Sequence, residues 1–152
     1  MKGDPTPLES FFPYRLAVGA ERFSQALAEV YGANFGLSRE EWRLLFLLAG
    51  ETQVTSLDLA RRTTLDKVQV SRASQRLVDK GLITRCVASE DRRLRLYACT
   101  EKGRALFASA LPDVQDRAAR ILNAMSPEDK QALNQGLSAL IRALERTAAD
   151  SA

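Results

Sequence analysis

Residues 55–100 contain two short helical segments with their own capping signals, followed by a glycine and two strand-like runs. Thr55 with Asp58 begins the first segment, and Asp66 with Gln69 begins the second after a connection of only a few residues. The runs "LITRCV" and "LRLYACT" then flank the polar segment "ASEDRR", as strands flank a hairpin loop. This order predicts a helix-turn-helix followed by a two-stranded wing.

Longer helical patterns flank this central segment. Residues 8–35 repeat apolar side chains at helical spacing, and Ser38 with Glu41 forms a capping box for a short, largely buried helix. After the wing comes a helix that Pro112 is expected to bend, and Ser126 caps a last helix. One face of the last helix carries Leu133, Leu137, Leu140 and Leu144. The fold class is therefore predicted as mainly α, in a single domain without repeats or linkers.

Positive charge is concentrated in the centre of the chain. Between Arg61 and Arg104 there are twelve Lys or Arg residues and five Asp or Glu residues, a net charge of +7. The remainder carries −4, although the whole chain has only +3. A basic segment favours an anionic partner, because neutralising phosphates releases counterions and supplies affinity that does not depend on sequence. A solvated basic face is the plainer alternative.

The composition argues against several functional classes. With no histidine, the commonest general base and the usual zinc-binding patterns are missing, so we expect no enzyme activity, metal or cofactor. Two cysteines are too few for a disulfide framework. No apolar run is long enough for a membrane span, and the N-terminus does not resemble a signal peptide, so we expect a cytoplasmic protein.

The helix that begins at Asp66 has an apolar side, with Val70, Ala73 and Leu77, and a polar side. The polar side carries residues that can contact bases: Val68, Gln69, Arg72, Gln75 and Arg76. Arginine can read guanine, glutamine can read adenine, and valine can touch a thymine methyl group. Lys67, nearer the helix start, is expected to contact phosphate. A recognition helix in a major groove is the predicted structure, and a solvated surface helix is the alternative.

The predicted wing has two arginines, Arg92 and Arg93, at its tip. An arginine there could enter a narrow minor groove, whose negative potential attracts it. The neighbouring Asp91 could fix one guanidinium group by paired hydrogen bonds. The wing is therefore expected to sense groove width rather than to read a unique base sequence.

Three segments carry a resemblance to the MarR family of bacterial transcriptional regulators. They are "GLSREEWRLLFLL", "VTSLDLARRTTLDKVQVSRASQRLVDKGLITR" and "SEDRRLRLYACTEKGRAL", within a match that runs from about Tyr14 to the C-terminus. The D-x-R of the wing, Asp91 to Arg93, and the T-E-K-G after it are the most specific pieces. Two positions depart from the family pattern: Thr64 replaces a glycine in the turn, and Cys99 replaces a leucine.

The resemblance implies a homodimer whose platform is built from residues 8–35 and 101–150, with DNA-binding winged-helix lobes at 38–100. The implied function is regulation at a double-stranded, pseudo-palindromic DNA operator, as a repressor. The DNA-contact positions of the family carry over to Val68, Gln69, Ser71, Arg72, Gln75, Arg76 and Arg93, with Asp91 supporting Arg93.

Many family members release DNA when a small aromatic or phenolic anion binds. By that resemblance, candidates for such a pocket are Phe11, Phe12, Tyr14, Arg15, Trp42 and Phe46. Aromatic residues at helical spacing also form ordinary cores, which is the alternative for each of them.

Two further functions stay open from the sequence. A winged helix can also serve as a protein-interaction module. A thiol-based redox regulator is the other alternative, because a hairpin that turns near Arg92 would place Cys86 and Cys99 roughly opposite each other. Small apolar filler is the plainer role for both cysteines.

Overall fold

The computed structural model describes residues 7–150, and it contains six α-helices and three strands in that range. The helices are α1 (Phe12–Phe35), α2 (Arg39–Ala49), α3 (Ser56–Thr63), α4 (Lys67–Asp79), α5 (Glu101–Asn123) and α6 (Pro127–Asp150). The strands are β1 (Val54–Thr55), β2 (Ile83–Val87) and β3 (Arg95–Cys99). Two compact units divide within α5, after Val114. Within residues 7–150, no helix combines the length and apolar character of a membrane span.

The first predicted helix begins later than its apolar pattern indicates. A short 3-10 turn occupies Leu8–Ser10, and α1 begins at Phe12 with Pro13 in its first turn. Proline is tolerated there because the first backbone N–H groups of a helix have no partner within it. Gly36 ends α1 with φ 66°, a left-handed conformation that favours glycine.

The core of the first unit is centred on α2. Leu44, Leu45 and Leu48 are fully buried, together with Leu59 of α3 and Leu77 of α4. On another side of α2, aromatic rings from α1, α2 and α5 pack together: Tyr31, Trp42, Phe46 and Phe107. Burial of this α2 segment, which the sequence predicted, is confirmed.

The helix-turn-helix forms as its caps predict. Thr55 Oγ1 accepts the Asp58 N–H at 3.2 Å, and Asp66 and Gln69 form a complete capping box. Thr64 lies between α3 and α4 with φ 60° and ψ 19°, the left-handed region that L residues with a branched Cβ rarely adopt. Glycine, which the family resemblance leads one to expect at this position, would suit this backbone, and Thr64 adopts it at a cost in strain.

The β-structure is larger than the predicted two-stranded wing. Strands β2 and β3 form the predicted hairpin, but β1 also pairs with β3, which gives the order β1-β3-β2. Val54 lies opposite Tyr97 and Thr55 lies opposite Leu96, both in antiparallel register. A strand of two residues carries too little alternation to be recognised from sequence. Its pairing joins the wing to the segment that leads directly into α3.

The backbone at the start of α5 lies in close contact with the backbone of Leu82. Thr100 Oγ1 accepts the N–H of Gly103 at 3.0 Å, and the Thr100 N–H donates to the Leu82 carbonyl at 3.0 Å. A Cβ at Gly103 would lie 2.0 Å from that carbonyl oxygen and 2.8 Å from Cys99 Sγ. Only glycine fits this position, which explains the last residue of the T-E-K-G segment. The helix continues through Pro112 to Asn123.

In the second unit, α6 begins as its cap predicts. Ser126 Oγ accepts the Asp129 N–H at 3.0 Å, and Pro127 is the first helical residue. Between 48% and 59% of the surface of four apolar residues of α6 remains exposed: Leu133, Leu137, Ile141 and Leu144. Three of these belong to the predicted stripe, whereas Leu140 is half-buried. The single chain therefore leaves this face of α6 uncovered.

Candidate nucleic-acid interface

Helix α4 has the two faces that its sequence predicts. Val70, Ala73 and Leu77 are buried against the core, and Ser74 joins them. The residues predicted to contact DNA are all exposed on this helix: Lys67, Val68, Gln69, Ser71, Arg72, Gln75 and Arg76. Their side chains nevertheless differ in how far contacts within the chain already engage them.

The two glutamines are held by neighbouring groups. Gln69 completes the capping box, since its Oε1 accepts the Asp66 N–H at 3.1 Å. Gln75 donates from Nε2 to Asp79 Oδ1 at 2.8 Å and accepts at Oε1 from the Arg85 guanidinium at 2.7 Å. The amide of Gln75 therefore has a defined orientation before any partner binds. The sequence interpretation missed Arg85, which reaches α4 from strand β2.

Arg76 is paired with a buried acid on another helix. Its Nε donates to Glu41 Oε1 at 2.7 Å, and Lys80 Nζ donates to Glu41 Oε2 at 2.5 Å. The predicted capping box at Ser38 is therefore only half right. Ser38 Oγ accepts the Glu41 N–H at 3.1 Å, but the carboxylate of Glu41 binds α4 instead of the helix start. The sequence carried one signal of this contact, because the acidic Glu41 lies next to Trp42 in a helix that was predicted to be largely buried.

Arg72 differs from Arg76. In the part of the chain that the structure describes, the exposed Arg72 side chain makes no hydrogen bond or ion pair. Val68, which lies one turn earlier, is also exposed. An unengaged guanidinium beside an apolar side chain suits bidentate contact with guanine and contact with a thymine methyl group.

The wing arginine is held as its neighbours predict. Asp91 Oδ1 accepts the backbone N–H of Arg93 at 2.9 Å and its Nε at 3.2 Å, while 91% of the Arg93 side chain stays exposed. These hydrogen bonds, the backbone one first, hold the pKa of Asp91 below its ordinary value. Arg92 contributes its carbonyl oxygen, which accepts from the Arg95 guanidinium at 3.0 Å. The side chains of both Arg92 and Arg93 are exposed at the wing tip.

The wing and the helix-turn-helix share a groove. It has a volume of about 370 Å³ and is open to solvent. The residues that line it come from α3, α4, β3 and the wing loop: Ser56, Leu57, Ala60, Lys67, Val70, Ser71, Arg93, Leu94 and Tyr97. Lys67, Ser71 and Arg93, which the sequence predicted separately, thus lie along one surface. Two positive side chains on a concave surface favour an anionic partner.

The six residues of the predicted effector pocket do not form one group of ring contacts. Trp42 is buried and stacks on Tyr31 with ring centroids 5.0 Å apart, and Phe46 packs edge-on at 6.0 Å. The other four are exposed at the start of α1: Phe11, Phe12, Tyr14 and Arg15. Among residues 7–150, the observed ring pairs include none of those N-terminal aromatic residues.

The predicted opposition of the two cysteines is wrong. Cys86 lies opposite Leu96, and Cys99 lies opposite Ile83. An offset of three residues separates the thiols by about 10 Å along the strands and places them on opposite faces of the sheet. Cys99 packs against the core, where burial raises the pKa of its thiol. These positions do not allow a disulfide between the two cysteines.

Comparison with known proteins identifies the family. A profile of the MarR family matches residues 35–94, from the end of α1 into the wing loop. The HTH-type transcriptional regulator YfiV of Bacillus subtilis (strain 168) is 30% identical over 109 residues, which are 72% of this chain and 68% of that protein. The chain belongs to the MarR family. The solved structure of a MarR family regulator from Silicibacter pomeroyi DSS-3 is 26% identical, with a TM-score of 0.78, and the match covers 92% of this chain and 99% of that one.

A more distant solved structure shows the same fold. BpsR of Bordetella bronchiseptica is 19% identical, with a TM-score of 0.78, and the match covers 90% of this chain and 96% of that one. Its DNA binding is regulated by 6-hydroxynicotinic acid. As a MarR-family member, the chain is a DNA-binding winged-helix transcriptional regulator, which confirms the predicted fold and family.

Proposed function

We propose that this MarR-family regulator is a homodimeric repressor that binds a pseudo-palindromic operator through α4 and the wing. The observation that carries the proposal is the shared groove, in which Lys67 and Ser71 of α4 lie along the same surface as Arg93 of the wing. In the proposed complex, the start of α4 enters a major groove and the wing tip enters the adjacent minor groove. The proposed α4 contacts are Lys67, Val68, Gln69, Ser71, Arg72 and Gln75, and the proposed wing contacts are Asp91, Arg92 and Arg93. Arg76, which the sequence analysis also assigned to DNA, lies on the same face of α4.

The exposed apolar face of α6 supports the homodimer. A second copy of the chain would remove Leu133, Leu137 and Ile141 from water, and burial of such side chains stabilises an interface. We propose that residues 8–35 and 101–150 provide the dimer platform, and that residues 38–100 form the DNA-binding lobe. Two-fold symmetry of the protein then requires two-fold symmetry of its operator.

A small aromatic anion is the proposed effector that releases the operator. The regulation of BpsR by 6-hydroxynicotinic acid supports this class of ligand. Phe11, Phe12 and Tyr14 offer exposed aromatic surface, and Arg15 beside them offers a positive charge. Trp42 and Phe46 belong to the ring cluster, so a ligand would reach Phe46, which is half-exposed, before the buried Trp42.

Selection of bound sequences from a random DNA pool tests the proposed function directly. We expect two inverted half-sites whose centres are about 10 base pairs apart, since a dimeric reader of this class contacts successive major grooves on one side of the duplex. An excess of single-stranded DNA controls for charge-driven binding. Recovery of sequences with no common motif would contradict operator recognition.

The wing should contribute specificity at the flanks of the operator. Replacing Arg93 by Ala is expected to weaken operator binding and flatten the A/T preference there, because the held guanidinium senses the width of the minor groove. Asp91→Ala should do the same more mildly, since Arg93 then loses its holder. Affinity at two salt concentrations and a repeated sequence selection measure both effects.

Arg92→Ala is the matched control, because it removes the same charge from the neighbouring position. It should weaken selected and scrambled DNA by a similar factor and leave the flanking preference unchanged. Tighter binding by Asp91→Ala, without loss of the A/T preference, would show that the wing acts by charge alone.

A further inference from the structure

The buried carboxylate of Glu41 joins helices α2 and α4. Only 3% of its side chain is exposed, and its two oxygens accept from two different cations, Arg76 of α4 and Lys80 at the C-cap of α4. Arg76 and Lys80 lie four residues apart, so the contacts come from successive turns of α4 on one side of the helix. A single carboxylate therefore fixes both the position and the rotation of the C-terminal half of α4.

Lys80 extends this contact to the end of α1. Its Nζ also donates to the carbonyl oxygen of Gly36 at 2.7 Å, and Gly36 is the residue that ends α1. The corner between α1 and α2 is thereby tied to the recognition helix through charged groups. A buried carboxylate that lost its cations would be strongly unfavourable, so the contacts with Glu41 resist exchange for DNA.

The two arginines of α4 therefore differ in whether a contact within the chain already holds the side chain. Arg76 commits its Nε to Glu41, and 46% of its side chain is exposed. Arg72, one turn nearer the helix start, is exposed and makes no such contact in the described chain. Bidentate reading of guanine needs a guanidinium that can orient freely in the plane of the base.

We propose that Arg76 is a positioning residue held by Glu41, and that Arg72 is the arginine of α4 that reads a base. This inference rests on the proposed operator binding, and it revises the sequence-based role of Arg76. Glu41 sets the orientation at which α4 presents Arg72. Glu41 also keeps Arg76 and Lys80 from binding phosphates nonspecifically.

The first test compares Arg72→Gln with Arg76→Gln in the full-length chain. Each variant removes one positive charge from the same helix, so differences between them do not arise from net charge. Arg72→Gln should lower the ratio of selected to scrambled DNA affinity about tenfold and erase the preference at one base pair of each half-site. Arg76→Gln should lower that ratio by a smaller factor, because Lys80 still holds Glu41, and should keep the selected base at every position. Loss of one base preference in this variant would overturn the proposal.

The second test is Glu41→Gln, which leaves Arg76 and Lys80 without their acid. On scrambled DNA, the slope of log affinity against log salt should steepen by about one to two units, as the released cations reach phosphates. The ratio of selected to scrambled affinity should fall about tenfold as α4 loses its fixed orientation. A folded Glu41→Gln protein with the wild-type slope and ratio would overturn the proposal.

Circular dichroism establishes that each variant is folded, and if Glu41→Gln is not, the pair of arginine variants decides the question alone. A wild-type chain that selects no DNA motif would contradict the proposed function itself. If the wild-type chain does select a motif but the variants do not behave as expected, only the roles given to Glu41, Arg72 and Arg76 are contradicted.

Discussion

Removing residues 126–152 is expected to yield a monomer that has lost specific DNA binding. The deletion takes away α6, whose exposed apolar face is the proposed dimer contact. Linking two half-site readers raises affinity by a factor on the order of 100 to 10,000, and a monomer loses this factor. Sedimentation equilibrium measures the oligomeric state, and fluorescence anisotropy with the selected operator measures affinity. A monomer that keeps full operator affinity would contradict the dimer proposal.

Two substitution pairs test the same contact without shortening the chain. Leu137→Asp with Ile141→Asp places two charges on the apolar face and should reproduce the monomer. Gln135→Asp with Ala139→Asp adds the same charge to exposed positions on the opposite face of α6 and should leave the dimer intact. Equal effects of the two pairs would indicate that charge or helix propensity, and not the apolar face, is responsible.

Gly103→Ala is expected to destabilise the chain by about 3 kcal/mol or more. The new Cβ would lie 2.0 Å from the Leu82 carbonyl oxygen and 3.0 Å from its carbonyl carbon, and backbone atoms cannot move aside cheaply. The clash outweighs the gain of up to about 1 kcal/mol that alanine brings to a helix interior. Urea unfolding followed by circular dichroism, at fixed protein concentration, measures the loss.

Gly19→Ala is the control for the change of residue type. Gly19 lies inside α1, and a Cβ there would meet nothing within 4 Å in the single chain. This variant should be neutral or slightly more stable, because alanine favours a helix. Similar unfolding midpoints for Gly103→Ala and the wild type would mean that the start of α5 can move away from Leu82.

Local signals predicted most of the helical framework. Ser38, Thr55, Asp66 and Ser126 all cap helices in the structure, because the capping hydrogen bond spans only three residues of the chain. The buried and exposed faces of α4 also follow from spacing along one helix. The support of Arg93 by Asp91 was predictable for the same reason, since the two residues are neighbours in one loop.

Long-range partners were not predictable from the same signals. The pairing of Arg76 with Glu41 joins residues 35 positions apart, and the contact of Gln75 with Arg85 joins α4 to strand β2. Strand β1 has only two residues, too few for a recognisable pattern. The position of the hairpin loop predicted that Cys86 and Cys99 lie opposite each other, but the register of the strands separates them. Each depends on how whole elements pack, which a local pattern does not encode.

The sequence by itself determined the order of the helices, their caps, the polar face of α4 and the family. Tertiary structure alone decided which side chains on that face are already engaged. The physical reason is that capping and amphipathic spacing act over one or two helical turns, whereas a buried charge takes its partner from any element that packs against it. Arg72 and Arg76 are alike in the sequence, and only the packing of α2 on α4 distinguishes them.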